Sequence, residues 1–202
     1  MKLTLLLFFL ITSLFAKNNY SLRLAYGQAS TSDLGDIISG DFTSNYPEGL
    51  YVTALDTGYM LKEGVLDLPF DFYIKSGLSA FDDRNVNDSV VYETTLYFKL
   101  YLNMDFLSNR LRLGFGEGAS YTSNILYVEK ADAESNQDNN SKILNYLDIS
   151  LDFDFGRLIR YEPLYDTHLG WALKHRSGIF GLINNVKHGG SNYNTLYIEK
   201  KF

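Results

Sequence analysis

Near the end of the 202-residue chain a histidine and a serine stand two positions apart, His175 and Ser177, with Asn192 a short way beyond. A serine hydroxyl is a weak nucleophile until a base takes its proton, and an imidazole does this best when a third group holds the ring. On an extended strand, residues two apart share a face with Cα atoms roughly 7 Å apart, within reach given a local bend and suitable rotamers. An amide such as Asn192 can orient a histidine, although it cannot neutralise the charged ring as a carboxylate would. The same three residues also fit a hydrogen-bonded polar girdle touching lipid headgroups without chemistry.

The remaining candidates point to less. His168 has the opposite strand parity and His188 falls in a loop, and neither has an evident second ligand, so no metal is expected. Gly189 and Gly190 suit a tight return of the chain better than a phosphate cradle. The stretch from Ala131 to Ser141, rich in Asp, Glu, Asn and Ser, reads as a solvated loop tip.

The elements that must carry these residues alternate with a period of two, the signature of strands. Eight such segments follow one another: Tyr20 to Gln28, Gly49 to Leu61, Asp67 to Ala80, Val90 to Leu102, Arg110 to Thr122, Ile143 to Phe155, Leu164 to Gly178 and Asn192 to Phe202. In the fourth, Tyr92, Leu96, Phe98, Leu100 and Leu102 alternate with Glu93, Thr95, Tyr97, Lys99 and Tyr101. Glu117 alone falls on the apolar face of the fifth, where a bulge is expected to rotate it inward. Odd-numbered connections are the longer ones, as in a transmembrane β-barrel with short periplasmic turns, longer outer loops and both ends inside.

Parity does not say which face looks outward, and a soluble lipocalin-type barrel would put its apolar face around a cavity. The polar face favours the membrane alternative, because it is rich in Gly, Ala and Ser and mixes Asp and Glu with Lys and Arg that can pair inside a narrow lumen. The chain also ends in Phe202 after an amphipathic strand. An all-β, eight-stranded antiparallel up-and-down barrel is therefore expected, with a filled lumen and no general porin activity. With the apolar face outward, His175, Ser177 and Asn192 lie on the lipid side at the outer rim.

Composition agrees. The chain is 46% hydrophobic and 21% charged with only 3 Pro, which excludes disordered, collagen-like and proline-rich readings. No cysteine is present, so disulfide frameworks, thiolate zinc sites and cysteine catalysis are excluded. A net charge of −6 without a Lys/Arg cluster argues against nucleic acid. At the start, Lys2, the apolar run Leu3 to Phe15 and Ala16 read as a secretory signal over residues 1–16, too short for a comfortable membrane helix. An uncleaved anchor is the alternative, and residues 17–202 would form the barrel.

The segment Thr167-His168-Leu169-Gly170-Trp171-Ala172-Leu173-Lys174-His175-Arg176-Ser177, followed by a loop and Thr195 to Phe202, resembles the PagL-type lipid A 3-O-deacylases, over roughly the last forty residues. The resemblance implies a bacterial outer-membrane barrel with a membrane-facing His-x-Ser site that uses no metal or other cofactor. Ser177 would attack the ester of the 3-position hydroxyacyl chain of lipid A in lipopolysaccharide, and His175 would accept its proton. Two positions depart from the family pattern: Asn192 stands where an acidic residue is usual, and Gly178 where an asparagine helps bind the oxyanion, leaving backbone N–H groups of Gly178 or the loop to do so. The alternative to hydrolysis is a non-enzymatic small barrel serving envelope integrity or surface interaction.

Overall fold

The structure is a computed structural model that describes residues 19–202, so the expected export signal lies outside the described residues. Eight antiparallel strands close into one barrel in sequence order. They are β1 (Tyr20–Ser30), β2 (Tyr51–Lys62), β3 (Phe70–Asp82), β4 (Val90–Phe106), β5 (Asn109–Thr122), β6 (Ile143–Asp154), β7 (Thr167–Ser177) and β8 (Ser191–Lys201). Closure comes from β1 pairing with β8, with Leu24 opposite Ile198, and leaves no sheet edge.

The apolar face looks outward. Leu24, Leu55, Leu78, Leu96, Phe98, Phe115, Leu151 and Leu196 are exposed on the wall, while Arg23, Asp56, Lys75, Lys99, Arg112, Asp148, Asp152 and Glu199 are buried in the lumen. Only a hydrocarbon surround makes that inversion favourable, since it removes the wall's apolar surface from water. Aromatic pairs mark both ends of the wall: Tyr20 and Tyr59 at 5.1 Å on the periplasmic side, Tyr26 and Tyr51 stacked at 5.7 Å on the outer side.

Charge pairing fills the lumen. Arg23 donates from Nε to Asp56 at 2.8 Å and from Nη2 to the Tyr97 hydroxyl at 3.0 Å, and it also holds Asp148, which Lys99 meets from the other side. Arg112 donates to Asp152 at 2.8 Å and to Glu199 at 3.2 Å. The small residues of the lumen face make room for these side chains. A Cβ on Gly114 would lie 2.6 Å from Cε of Lys99, and one on Gly77 would lie 2.1 Å from Oδ1 of Asp56. Packed in this way, the lumen side chains tie opposite walls of the barrel together.

Four details depart from the sequence expectations. Glu117 is not turned inward: β5 keeps its register, with Glu117 opposite Phe98 and Leu147, exposed on the outer wall. The ladder irregularity falls between Met60 and Lys62 instead. The connection 155–166 contains a helix, Phe155–Ile159, and a 3-10 turn, Glu162–Leu164, so β7 begins at Thr167 rather than Leu164. Asp154 initiates that helix by accepting the Arg157 N–H at 3.0 Å, and Pro163 fits the 3-10 turn but not a strand. β4 runs on to Phe106 and turns through Leu107 and Ser108, both left-handed, a two-residue hairpin.

The fourth departure bears on the site. The acidic stretch is largely exposed, as expected, but its first residues belong to a helix, Tyr127–Ser135, whose Val128, Glu129 and Ala133 are buried. We designate this helix α2 and the short helix of the first outer loop, Leu34–Ile38, α1. Carboxylates of the third loop fasten the fourth: Asp132 accepts the Gly189 N–H at 2.6 Å, and Asp138 accepts the Lys187 N–H at 2.7 Å and that of His188. These backbone bonds hold the acidic stretch in place although its sequence is polar.

Candidate active site

Strand β7 rises to the outer rim, and β8 descends from it with His175 directly opposite Asn192. The two side chains meet, with His175 Nδ1 2.7 Å from Asn192 Oδ1. The amide's orientation follows from its other contact, since Asn192 Nδ2 donates to the Ser32 carbonyl of the first loop at 3.0 Å. Its oxygen is therefore the atom facing the ring, Nδ1–H donates to it, and a neutral imidazole in this tautomer keeps its basic lone pair on Nε2.

Ser177, the last residue of β7, has the same outward parity as His175 and lies opposite Asn145 of β6. Among the described residues its hydroxyl makes no hydrogen bond, with His175 or any other group. Directly opposed residues of an antiparallel pair are ~5 Å apart, so the Asn145 side chain flanks the serine. Asn145 is 8% exposed and likewise makes no side-chain hydrogen bond. Sequence reasoning missed it, because the β6–β7 register cannot be read from either strand alone.

Gly178 lies just outside the strand and packs hard against the fourth loop. Its carbonyl accepts the Ile183 N–H at 2.9 Å, and a Cβ there would fall 2.0 Å from the Val186 carbonyl oxygen. The next two residues, Ile179 and Phe180, are left-handed at φ 48° and 53°, an arrangement that costs roughly 1–3 kcal/mol per residue and recurs at functional sites. Phe180 and Leu182 project from this loop at 94% and 82% exposure.

Glu117 does not complete the constellation. It shares an outward row with Leu147, His175 and Asn192, but two strand spacings, about 10 Å, separate it from the histidine, and Leu147 stands between. Of the other histidines, His168 is buried with Nδ1 3.0 Å from Asp152. Contrary to the expectation of no nearby ligand, Asp154 and Asp166 each bring an oxygen within 4.8 Å of a His168 nitrogen at the periplasmic end. Arg157 already stands 3.3 Å from Asp154 and supplies countercharge.

A closed eight-stranded barrel with an apolar wall, aromatic ends and an ion-paired lumen is an outer-membrane β-barrel. No family model matches the sequence, and no curated protein does. Among solved structures the chain is similar to the outer membrane enzyme PagL, at 11% identity over 90% of this chain and 99% of that one, with a TM-score of 0.61. It is also similar to Neisserial surface protein A, at 11% identity over 92% of this chain and 98% of that one, with a TM-score of 0.50. Similarity at this level establishes the barrel fold.

Proposed function

We propose that this barrel is a serine ester hydrolase of the outer leaflet that removes the 3-position hydroxyacyl chain of lipid A. The observation that carries the reading is the His175–Asn192 pair, anchored through Ser32 and facing lipid beside Ser177. Ser177 attacks the ester carbonyl while His175 accepts its proton at Nε2 and passes it to the departing sugar oxygen; a water deprotonated by His175 then attacks the acyl-serine, releasing the hydroxyacid and restoring the Ser177 hydroxyl. Asn192 keeps the ring in the productive tautomer. The oxyanion forms beside Gly178, where the family's asparagine is absent, and the amide of Asn145, opposite Ser177 on β6, is the side-chain donor assigned to it in this reading. Phe180 and Leu182 offer apolar surface to acyl chains.

Mass spectrometry of lipid A from cells expressing the native protein or Ser177→Ala tests this reading. Loss of one hydroxyacyl chain in the native sample alone is expected, and an unchanged acyl pattern in both removes the enzyme claim. That outcome would favour the non-enzymatic barrel, a reading supported by the lack of a Ser177–His175 hydrogen bond. Removal of residues 1–16 as an export signal belongs to the same proposal and is read from the mass of the membrane-extracted protein.

A further inference from the structure

At the periplasmic end of the wall, the β4–β5 hairpin and the helix Phe155–Ile159 border a groove of about 800 Å³. Leu111 and Phe153, opposite each other across the β5–β6 ladder, line it one outward position nearer the periplasm than Leu113 and Leu151, which are exposed on the wall. The groove is therefore continuous with the lipid-facing surface. Phe106 and Leu107 of the hairpin and Leu158 of the helix also line it, at 61%, 84% and 59% exposure. A concave apolar surface of this kind is unfavourable in water and marks a docking site.

Two arginines share the lining, and none of the lining residues is Asp or Glu. Arg157 stands 3.3 Å from Asp154 and 3.7 Å from Asp105, a carboxylate that Arg110 meets more closely at 3.0 Å. Arg160 follows the last residue of the helix, is exposed, and makes no side-chain hydrogen bond or ion pair among the described residues. A guanidinium presents N–H donors that match phosphate oxygens, and basic pockets beside membrane-spanning elements hold anionic headgroups.

A free anion would leave the apolar sides of the groove in water, and an uncharged apolar segment would leave Arg160 unmatched. A molecule with both a phosphate and hydrocarbon chains answers to both. We infer that the groove seats an anionic phospholipid of the periplasmic leaflet, its phosphate at Arg157 and Arg160 and an acyl chain running past Leu111 and Phe153 onto the wall. This seat lies at the opposite end of the barrel from His175 and requires no hydrolysis there.

Native mass spectrometry of the detergent-extracted protein, incubated with equimolar phosphatidylglycerol and phosphatidylcholine of identical acyl chains, tests the inference. The native protein should retain phosphatidylglycerol in roughly fivefold excess or more, about what one basic residue contributes near an anionic surface. Arg160→Gln breaks no contact within the protein and should at least halve that excess, and the double variant with Arg157→Gln should abolish it. Arg84→Gln, at an exposed arginine of the outer end, should leave it unchanged. Leu158→Asp should reduce retention of both lipids, with heat-modifiable gel migration confirming that each variant is folded. Equal retention of the two lipids by native protein, an excess that survives the double variant, an equal loss in Arg84→Gln, or retention unmoved by Leu158→Asp overturns the inference.

Discussion

Replacing Asn192 by alanine tests the proposed catalysis at the point where the structure commits most. In the resting state His175 Nδ1–H donates to the Asn192 oxygen at 2.7 Å as a neutral hydrogen bond. When Ser177 gives up its proton the ring becomes an imidazolium and the same bond becomes charge-assisted. A neutral bond contributes about 0.5–1.5 kcal/mol and one to a charged group about 1.5–3 kcal/mol. Only the difference, about 1–2 kcal/mol, acts on the barrier, so Asn192→Ala should lower kcat by roughly five- to thirty-fold. Release of the hydroxyacyl chain by purified protein in detergent measures it, with KM read separately, and heat-modifiable gel migration confirms folding. Asn192→Asp provides a stronger acceptor but loses the donor to the Ser32 carbonyl, and should exceed the alanine variant in kcat. A kcat for Asn192→Ala within twofold of native, alongside inactive Ser177→Ala, would refute the orienting role.

Three further outcomes follow from the same contacts. Asp148→Leu leaves Lys99 without a carboxylate, its remaining bond being to the carbonyl of residue 148, and Arg23 with Asp56 as its remaining carboxylate partner, which should cost about 3–5 kcal/mol. Urea unfolding in vesicles should show part of that loss recovered in the double variant with Lys99→Met, and additive effects would contradict the pairing. Gly178→Ala forces a Cβ to within 2.0 Å of the Val186 carbonyl, so the fourth loop must shift and kcat should fall by up to ~100-fold with the barrel intact. Burial raises the Glu129 carboxyl to about 7 against an ordinary 4.5, despite Arg176 and Ser191 beside it. Because the folded value is raised, its contribution to docking α2 is fully present below pH 4.5 and is lost as pH rises through about 7, about 3 kcal/mol in all. The third loop should then resist protease better at pH 5 than at pH 8, and Glu129→Gln should remove that difference.

The barrel was legible because its rule is local: each strand alternates, and alternation fixes which residues share a wall. The choice of outward face needed one further inference, from small residues and mixed charges to a packed lumen, and Gly114 beneath the Lys99 stem shows why it held. Legibility ended where partners are distant in sequence. Asn192 and the Ser32 carbonyl are 160 positions apart, and Glu129 and Ser191 are 62 apart, so neither bond leaves a local trace. Helix α2 was hidden because its apolar contacts, Leu126 and Val128 against Leu50, Phe81 and Val91, and the bond from Asp132 to the Gly189 N–H all reach residues distant in sequence. Glu117 misled for a related reason: an isolated acid on an apolar face suggests a bulge, whereas the ladder accommodates it outward without one.

The polar groups on the outer wall near the rim divide in a way that bears on function. An amide or imidazole next to hydrocarbon is costly unless its hydrogen-bonding atoms are matched. The Trp171 N–H is matched by Asn194, the His175 Nδ1–H by Asn192, and the Asn192 amide by a loop carbonyl. These matched atoms fit a hydrogen-bonded girdle as well as an oriented catalytic histidine. Ser177 and Asn145, opposed across the β6–β7 ladder, make no side-chain hydrogen bond among the described residues, and Nδ2 of Asn194 is likewise unmatched. In the proposed hydrolysis the Ser177 hydroxyl would serve as nucleophile and the Asn145 amide as oxyanion donor. Asn145→Ala should accordingly lower kcat while leaving KM near native, whereas a purely structural role would appear instead as lost stability.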